Sequence, residues 1–247
     1  MNVRLPARFC ARELVNYEVE TARAIHDWVV NNPGGIFVDI GCSYGYFSCG
    51  VLFSDPTAQV FAIDADLPSL AVTRAVCRHA VNVDRRLQLI RTLICSKTGD
   101  GVSLQSVTES TDKLLANPRL KIDPSTTNYV NLDTQINESE LPRISLDSLL
   151  NEHLRQAFRP CLIKCDVEGA EQIVLEGAGQ VLNRFRPPLL VSVHPPYLPK
   201  FGGSVEGIRN LLKSSGYEVN VIGIDHEEHW LCRHSGADPS RDAVTSN

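Results

Sequence analysis

The sequence lacks the long apolar runs of a membrane-spanning protein. Its longest apolar runs are strand-sized, whereas a transmembrane helix needs roughly 20 apolar residues in a row, so we expect no such helix. The first residues contain scattered Arg and Glu and lack the continuous apolar stretch of about 7–15 residues that a secretory signal requires. We therefore expect a cytoplasmic protein with no membrane partner.

Dense runs of basic residues are also absent. The formal net charge is −5, and no Lys/Arg cluster is suited to neutralising a phosphate backbone, so we expect no nucleic-acid partner. The eight cysteines lack the regular spacings of a disulfide framework or a zinc knuckle, and most lie in or beside apolar segments. We expect reduced, mostly buried thiols. The composition does not show whether the chain is a monomer or an oligomer.

Strand-like and helix-like patterns alternate along most of the chain. This alternation predicts an α/β fold with a mostly parallel sheet, helices on both faces and antiparallel strands at the C-terminal end. The predicted strands are 36–40, 59–63, 87–95, 161–165, 188–194, 217–224 and 228–233. The predicted helices are 12–31, 46–53, 67–81, 169–184 and 205–215.

We expect a single domain over residues 1–235, followed by a flexible tail over 236–247. Residues 102–107 are a candidate antiparallel strand. Residues 108–143 are rich in Ser, Thr, Asn, Asp and Pro with little periodicity, which is typical of an irregular insert. A substrate lid and a tolerated surface loop are equally good interpretations of this insert.

A glycine-containing turn, DIGCSYG, follows the first predicted strand at residues 39–45. Gly41 and Gly45 permit a tight turn and close approach of a ligand to the backbone, and the next helix offers unpaired N–H groups. A pyrophosphate-binding fingerprint would need glycine in place of Ser43, so the spacing disfavours NAD without excluding it. The turn predicts a nucleotide-like cofactor site.

Two acidic residues narrow the identity of that cofactor. Asp64 ends the second strand, where a doubly wound fold places the carboxylate that accepts hydrogen bonds from ribose hydroxyls. Asp39 precedes the glycine turn, where it would attract an ammonium group and repel a pyrophosphate. The pair favours a cationic sulfonium ligand, although helix capping or turn stabilisation alone would also account for either carboxylate.

Further acids follow the strand 161–165, at the sheet edge where ligands bind in open α/β folds. Asp166 is suited to accept a proton from a substrate hydroxyl, or to hold with Glu168 a divalent cation that lowers the pKa of the hydroxyl. Capping of the next helix is the alternative role for both residues. The sequence leaves such a cation open and does not predict a metal.

Histidines supply the other candidate ligands and bases. His194 ends the strand 188–194 and is expected at the same edge, as a base, as a metal partner of Asp166 or in a structural role. His226 and His229 are three residues apart, which places them on opposite faces of a strand and disfavours joint metal binding.

The chain resembles the FkbM-type methyltransferases over about residues 37–224. The resemblance implies a Rossmann-like class I methyltransferase that uses S-adenosylmethionine to O-methylate a hydroxyl of a sugar or secondary metabolite. The segment KCDVEGAE, residues 164–171, is its most specific part. The segments that carry the resemblance, in order, are FVDIGCSYGYFS, VFAIDAD, ISLDSLL, LIKCDVEGAEQIVLEGA and LLVSVHPP.

The resemblance also assigns cofactor contacts within this sequence. It implies that the glycine turn, which includes Ser43, lines the methionine end of the cofactor and that Asp64 holds the ribose. Asp166 is expected near the transferred methyl group, with His194 and Glu168 as further catalytic candidates. The other implied contacts are Asp39, Gly41, Cys42 and Gly45 at the methionine end, and Ala65 with Leu93 or Ile94 beside the adenine.

Two other functions stay open at the level of sequence. An NAD-dependent oxidoreductase would use the same strand–helix–strand unit and the same ribose acid, although Ser43 argues against it. A non-catalytic module would keep the cofactor fold without the chemistry, although the intact segment KCDVEGAE argues against that role.

Overall fold

The computed structural model describes residues 18–117, 141–157 and 159–236. In these ranges no helix is both long and apolar enough to cross a bilayer. The helices are α1 (Val19–Asn31), α2 (Tyr46–Ser54), α3 (Leu67–Cys77), α4 (Val83–Arg86), α5 (Leu104–Ala116), α6 (Leu146–Ala157), α7 (Glu171–Glu176) and α8 (Val205–Ser214), with a π-helical turn at Val181–Phe185 and a 3₁₀ turn at Leu198–Phe201. The strands are β1 (Ile36–Ile40), β2 (Gln59–Asp64), β3 (Leu87–Arg91), β4 (Leu93–Ile94), β5 (Arg143–Ile144), β6 (Cys161–Cys165), β7 (Leu189–Val193), β8 (Tyr217–Ile224) and β9 (Glu228–His234).

Seven strands form the main sheet, in the order β3-β2-β1-β6-β7-β9-β8. Strands β3, β2, β1, β6 and β7 run parallel, and β9 pairs antiparallel with both β7 and β8. The predicted α/β fold with antiparallel strands at the C-terminal end is therefore confirmed. The chain moves outward from β1 to β3 and returns to β6 on the other side of β1. This reversal opens a crevice at the carboxyl ends of β1 and β6, where ligands bind in such folds.

The central strand β1 is buried along its whole length and serves two hydrophobic cores. Val38 packs in the core formed with α6, α7 and α8, whereas Phe37 packs in the core formed with α1, α2 and α3. Alternate residues of a strand point to opposite faces, so helices cover both sides of the sheet. Asp39 shares the face of Phe37 and is directed towards α2.

The candidate strand over residues 102–107 is wrong, because α5 begins there. The Ser103 hydroxyl accepts a hydrogen bond from the Ser106 backbone N–H, and the Ser106 hydroxyl bonds back to Ser103 N, which forms a reciprocal helix cap. Residues 108–116 of the predicted irregular insert belong to the same helix. Residues 118–140 of that insert lie outside the described residues.

Three other predicted boundaries differ from the structure. The strand 87–95 is interrupted after Arg91, and β4 pairs with β5 in a separate two-stranded parallel sheet. The helix 169–184 is shorter, since α7 ends at Glu176; any side chain at the next residue, Gly177, would overlap the Cys95 carbonyl oxygen. Helix α1 begins at Val19, and the part of the predicted helix before residue 18 lies outside the described residues, as does the tail from residue 237.

Candidate active site

The predicted site residues come together at the carboxyl edge of the parallel strands. Asp39 lies in β1 and Asp64 at the end of β2, while Asp166 and His194 directly follow β6 and β7. The potential ligand atoms of Asp166, Glu168 and His194 all lie within 4.8 Å of one another. Residues far apart in the sequence therefore share one site because their strands run parallel and end at the same edge.

The glycine turn after β1 is held tightly by the protein itself. Gly41 has a φ of 74°, and a side chain at this position would overlap the carbonyl oxygen of Asp166. Gly45 also has a φ of 74°, and a Cβ there would lie 2.5 Å from the Thr73 side chain. The turn requires glycine because its backbone packs closely against the end of β6 and against α3. From the sequence, we expected a ligand rather than the protein itself to approach this backbone.

Asp39 is a buried acceptor with one oxygen still available. The Ser48 hydroxyl of α2 donates to Oδ2 at 2.6 Å, and Oδ1 has no hydrogen-bond donor among the described residues. Burial raises the pKa of Asp39, while the nearby Lys164 ammonium lowers it. A buried oxygen without a donor is costly, so this position favours a ligand that brings a donor.

Asp64 ties the glycine turn to the end of β2. Its Oδ2 accepts a hydrogen bond from Ser43 N at 2.8 Å, and its Oδ1 accepts one from Asp66 N at 2.9 Å. Burial raises the pKa of Asp64 to about 7, although both backbone donors oppose this shift. A carboxylate has about four acceptor positions, so hydroxyl donors of a ligand can still bind.

The chain after β3 lies against Asp64 and Ala65. Thr92 N donates to the Asp64 carbonyl oxygen at 3.2 Å, and Arg91 Nε donates to the Ala65 carbonyl oxygen at 3.2 Å. Ile94, one of the residues predicted beside the adenine, is packed in the hydrophobic core. Leu93 is half-buried and its backbone N–H bonds to Pro142.

Cys42 is the remaining side chain of the predicted cofactor set. It is buried, and its Sγ lies 3.9 Å from Thr73 Oγ1. Burial raises the pKa of the Cys42 thiol, and the nearby carboxylate of Asp64 raises it further. The thiol therefore stays protonated and behaves as a small packing group rather than a nucleophile.

Lys164 is a site residue that the sequence analysis missed. It is a buried cation within β6, and its Nζ lies 2.8 Å from Asp166 Oδ2 and 5.1 Å from the centroid of the Phe47 ring. A lysine inside an otherwise apolar strand was the available signal, because Lys is almost never buried without a partner. The ion pair fixes one oxygen of Asp166.

His194 is surrounded by carboxylates. Its Nδ1 lies 2.7 Å from Glu171 Oε1, and its Nε2 lies 3.5 Å from Glu168 Oε2 and 3.7 Å from Asp166 Oδ1. Glu227 Oε2 makes an ion-pair contact with the same Nε2. Burial opposes the charged imidazolium, but Glu171 and Glu227 outweigh burial and raise the pKa of His194 to about 11.

The charge state of His194 bears on its predicted role as a base. A protonated imidazole has no lone pair, so it cannot take a proton from a substrate. In this arrangement His194 acts as a fixed cation that draws four carboxylates together. The geometry therefore supports a positioning or ligand role for His194 and does not support the role of general base.

Glu168 is the most exposed carboxylate around His194. Its side chain is 36% exposed, against 16% for Asp166. Its backbone has a φ of 53°, and the following Gly169 has a φ of 107° against Tyr197, so the turn after β6 is held in an unusual conformation. Burial raises the pKa of Glu168, and the His194 charge lowers it.

Glu227 reaches His194 because of strand pairing that the sequence does not reveal. Strand β7 pairs antiparallel with β9, and Val193 lies opposite Glu228, so the next pair along is His194 and Glu227. The turn between β8 and β9 also brings His226 and His229 towards Glu227 Oε1, at 3.6 and 3.7 Å. His226 is exposed in the turn and His229 is buried in β9, and the two histidines belong to different groups that could hold a metal, as their spacing predicts.

The strand order, the glycine turn after β1 and the acid that ends β2 define a class I methyltransferase fold. Over residues 39–219 the chain matches the family described as Methyltransferase FkbM domain. Because this match covers most of the chain, the protein belongs to the FkbM methyltransferase family.

A solved structure of the family shares this fold. The chain is similar to a methyltransferase FkbM from Methylobacillus flagellatus KT, with 17% identity and a TM-score of 0.52, over 81% of this chain and 43% of that one. It is also similar to magnesium protoporphyrin IX methyltransferase from Synechocystis PCC 6803 with bound SAM, with 12% identity and a TM-score of 0.49, over 94% and 87% of the two chains. The chain thus spans less than half of the first protein, and the likeness concerns the fold alone. No match was found among curated proteins.

Proposed function

We propose that this protein is an S-adenosylmethionine-dependent O-methyltransferase that acts on a hydroxyl of a small molecule, a sugar or a secondary metabolite. The observation that carries the proposal is the placement of Asp39 and Asp64 on either side of the glycine turn, next to the Asp166 carboxylate. This placement supports a cofactor on one side of the crevice and an acceptor on the other.

The cofactor would use donors and acceptors that the turn leaves available. The Oδ1 atom of Asp39 would accept from the ammonium group of the methionine moiety, and Asp64 would accept from the ribose hydroxyls. The turn itself would line the methionine end, and Ala65 with Leu93 or Ile94 would flank the adenine. Both proposed polar contacts suit S-adenosylmethionine, whereas the Asp39 carboxylate would repel the pyrophosphate of NAD.

Methyl transfer would then need an acceptor oxygen held in line with the sulfonium. Lys164 holds Asp166 Oδ2 and leaves Asp166 Oδ1 on the side of Glu168 and His194, where it would orient the acceptor hydroxyl. Glu168 would take the hydroxyl proton, because its exposure and raised pKa suit a general base. The methyl group moves from sulfur to oxygen, and the hydroxyl proton leaves on the Glu168 carboxylate.

The charge of this edge supports a hydroxylated small molecule as acceptor. The partly exposed carboxylates of Asp166 and Glu168 lie beside His194 at this edge, and they would repel the phosphates of a nucleic acid. Carboxylates are also good acceptors for the hydroxyl groups of a sugar or a polyhydroxylated metabolite.

Calorimetry with S-adenosylmethionine and S-adenosylhomocysteine tests the cofactor assignment. We expect one cofactor per chain and an affinity at least ~10-fold weaker in Asp64→Asn, because a neutral amide is a poorer partner for the ribose hydroxyls. Asp84→Asn is the matched control, since Asp84 is exposed on α4 and its variant should bind as the wild type does. A folded wild-type chain that binds neither compound, or that binds NADH instead, would overturn the proposal.

A further inference from the structure

We infer that the side chains around His194 form a binding site for one divalent cation, held by Asp166 Oδ1, Glu168 Oε2 and His194 Nε2. The binding of the cation stands on the geometry of these residues. Its role rests on the proposed function, because the cation would lie where the acceptor hydroxyl is expected.

The spacing of the three atoms suits a small cation. Metal–ligand bonds of about 2.1 Å place neighbouring ligand atoms about 3.0–3.5 Å apart in octahedral or tetrahedral coordination. In the structure, Nε2 lies 3.5 Å from Glu168 Oε2 and 3.7 Å from Asp166 Oδ1. A shift of a few tenths of an ångström would therefore bring each of these two oxygens to the spacing that a shared cation requires, and the two oxygens lie within 4.8 Å of each other.

The histidine is oriented as metal-binding histidines are. Its Nδ1 lies 2.7 Å from Oε1 of Glu171, whose side chain is fully buried. Metal-ligating histidines usually donate the second ring N–H to a carboxylate, which fixes the ring and leaves the other nitrogen for the metal. In this arrangement Glu171 is a positioning residue, and Nε2 lies beside the two proposed ligand oxygens and in contact with Glu227 Oε2.

The buried position of Glu227 is an independent observation that favours a cation. The Glu227 side chain is 3% exposed, and its Oε2 is in direct contact with His194 Nε2. A buried carboxylate oxygen directed at a candidate metal ligand is expected to gain from a nearby cation.

The charge balance leads to the same conclusion. Four carboxylates (Asp166, Glu168, Glu171 and Glu227) surround His194, and Lys164 is the further cation paired with Asp166. Negative charge is in excess even with His194 protonated. A bound cation would reduce the repulsion among the carboxylates.

The ligand types indicate which cation fits. Two carboxylates with one imidazole suit Mn²⁺ or Mg²⁺, and an absence of thiolate ligands disfavours a soft metal. Such a cation would bind the acceptor hydroxyl and lower its pKa. Glu168 Oε1, which the cation does not use, would then take the hydroxyl proton.

Manganese binding tests the site without cofactor or substrate. The full chain, stripped with a chelator, would be titrated with MnCl₂ while the signal of free Mn²⁺ is followed by electron paramagnetic resonance. We expect one Mn²⁺ per chain and a pulsed-resonance signature of an imidazole nitrogen on the metal. Asp166→Asn and Glu168→Gln should each weaken binding at least ~10-fold.

Matched controls distinguish Mn²⁺ bound at this site from Mn²⁺ bound at an exposed cluster nearby. Asp225, His226 and Glu227 also form a group that could hold a metal, and His226 is exposed. His226→Gln should therefore leave the affinity for Mn²⁺ and the nitrogen signature unchanged, whereas His194→Gln should abolish that signature. Circular dichroism would verify that each variant is folded. The nitrogen signature is measured on the wild type itself, so this part of the test holds even if a variant does not fold.

Three results would overturn the inference. These are a folded wild type that binds no Mn²⁺ up to about 1 mM, binding without a nitrogen signature, and binding that Asp166→Asn leaves at the wild-type affinity. Because no cofactor is present, these results concern the cation alone. Calorimetry with S-adenosylmethionine on the chelated protein tests the proposed function separately.

Discussion

At the scale of single residues, Asp64 has a structural role and a proposed binding role at the glycine turn. Its carboxylate holds the backbone of Ser43 and Asp66, and it is also the group proposed to bind the ribose. Burial places its pKa at about 7 in the free protein, so the ionisation of Asp64 changes within the physiological range.

Cofactor affinity should therefore depend on pH. The ionised carboxylate is the better acceptor for ribose hydroxyls, so affinity for S-adenosylhomocysteine should rise as the pH increases through about 7 and then level off. Conversely, protonation below that pH should weaken binding. Calorimetry from about pH 5.5 to about pH 8.5 measures this dependence.

Asp64→Asn supplies the control for the pH series. The amide does not titrate in this range, so the rise should be absent in that variant. An unchanged affinity in the wild type across the series, or an equal rise in the variant, would assign the pH effect to another group.

The raised pKa of Asp64 also affects the free energy of unfolding of the protein. The folded pKa of Asp64 lies above the ordinary value of 3.8, so the folded state binds the proton more tightly than the unfolded state does. By linkage, the contribution of Asp64 to the free energy of unfolding falls as the pH rises from about 4 to about 7.

At the scale of elements, backbone packing explains why the turn after β1 contains its first glycine. Both Gly41 and Gly101 have positive φ values, 74° and 71°. A side chain at Gly41 would overlap the Asp166 carbonyl oxygen, whereas a Cβ at Gly101 meets nothing within 4 Å among the described residues. A side chain at Gly101 would therefore cost only the free energy of the left-handed backbone conformation. A side chain at Gly41 would also cost the free energy of the steric overlap with Asp166.

Alanine at these two positions should have different effects. Gly101→Ala should lower the free energy of unfolding by about 1–2 kcal/mol, the cost of a left-handed conformation. Gly41→Ala should cost more than ~3 kcal/mol, because the ends of β1 and β6 must also move apart. Urea unfolding of both variants measures the difference, and equal losses would contradict the role assigned to the contact with Asp166.

The elements also show what sequence patterns could and could not predict. The strands β1, β6 and β7 were predictable, because short apolar runs ended at polar turns. Helix α5 was missed although its buried residues Val107, Thr111 and Leu115 follow helical spacing. The break between β3 and β4 was not predictable, because it accompanies pairing with residues far along the chain: Leu93 N donates to the Pro142 carbonyl oxygen, and β4 pairs with β5.

At the scale of the whole molecule, the sheet topology decides which residues meet. Asp39, Asp64, Asp166 and His194 were predictable as one set, because parallel strands bring their carboxyl ends to one edge. Glu227 was not, because it depends on the antiparallel register between β7 and β9. Topology therefore accounts for the proposed cofactor half of the site, and long-range pairing completes the carboxylates around His194.

The most direct test of the central claim is the identity of the methylated atom. The chain would be incubated with S-adenosylmethionine labelled with ¹³C in its methyl group and with a panel of sugars and polyhydroxylated metabolites, and products would be read by NMR. We expect a methyl ether, formed at least ~100-fold more slowly by Asp166→Asn, whose affinity for S-adenosylhomocysteine stays close to that of the wild type. A label found on nitrogen or carbon, or an Asp166→Asn variant as fast as the wild type, would contradict the account.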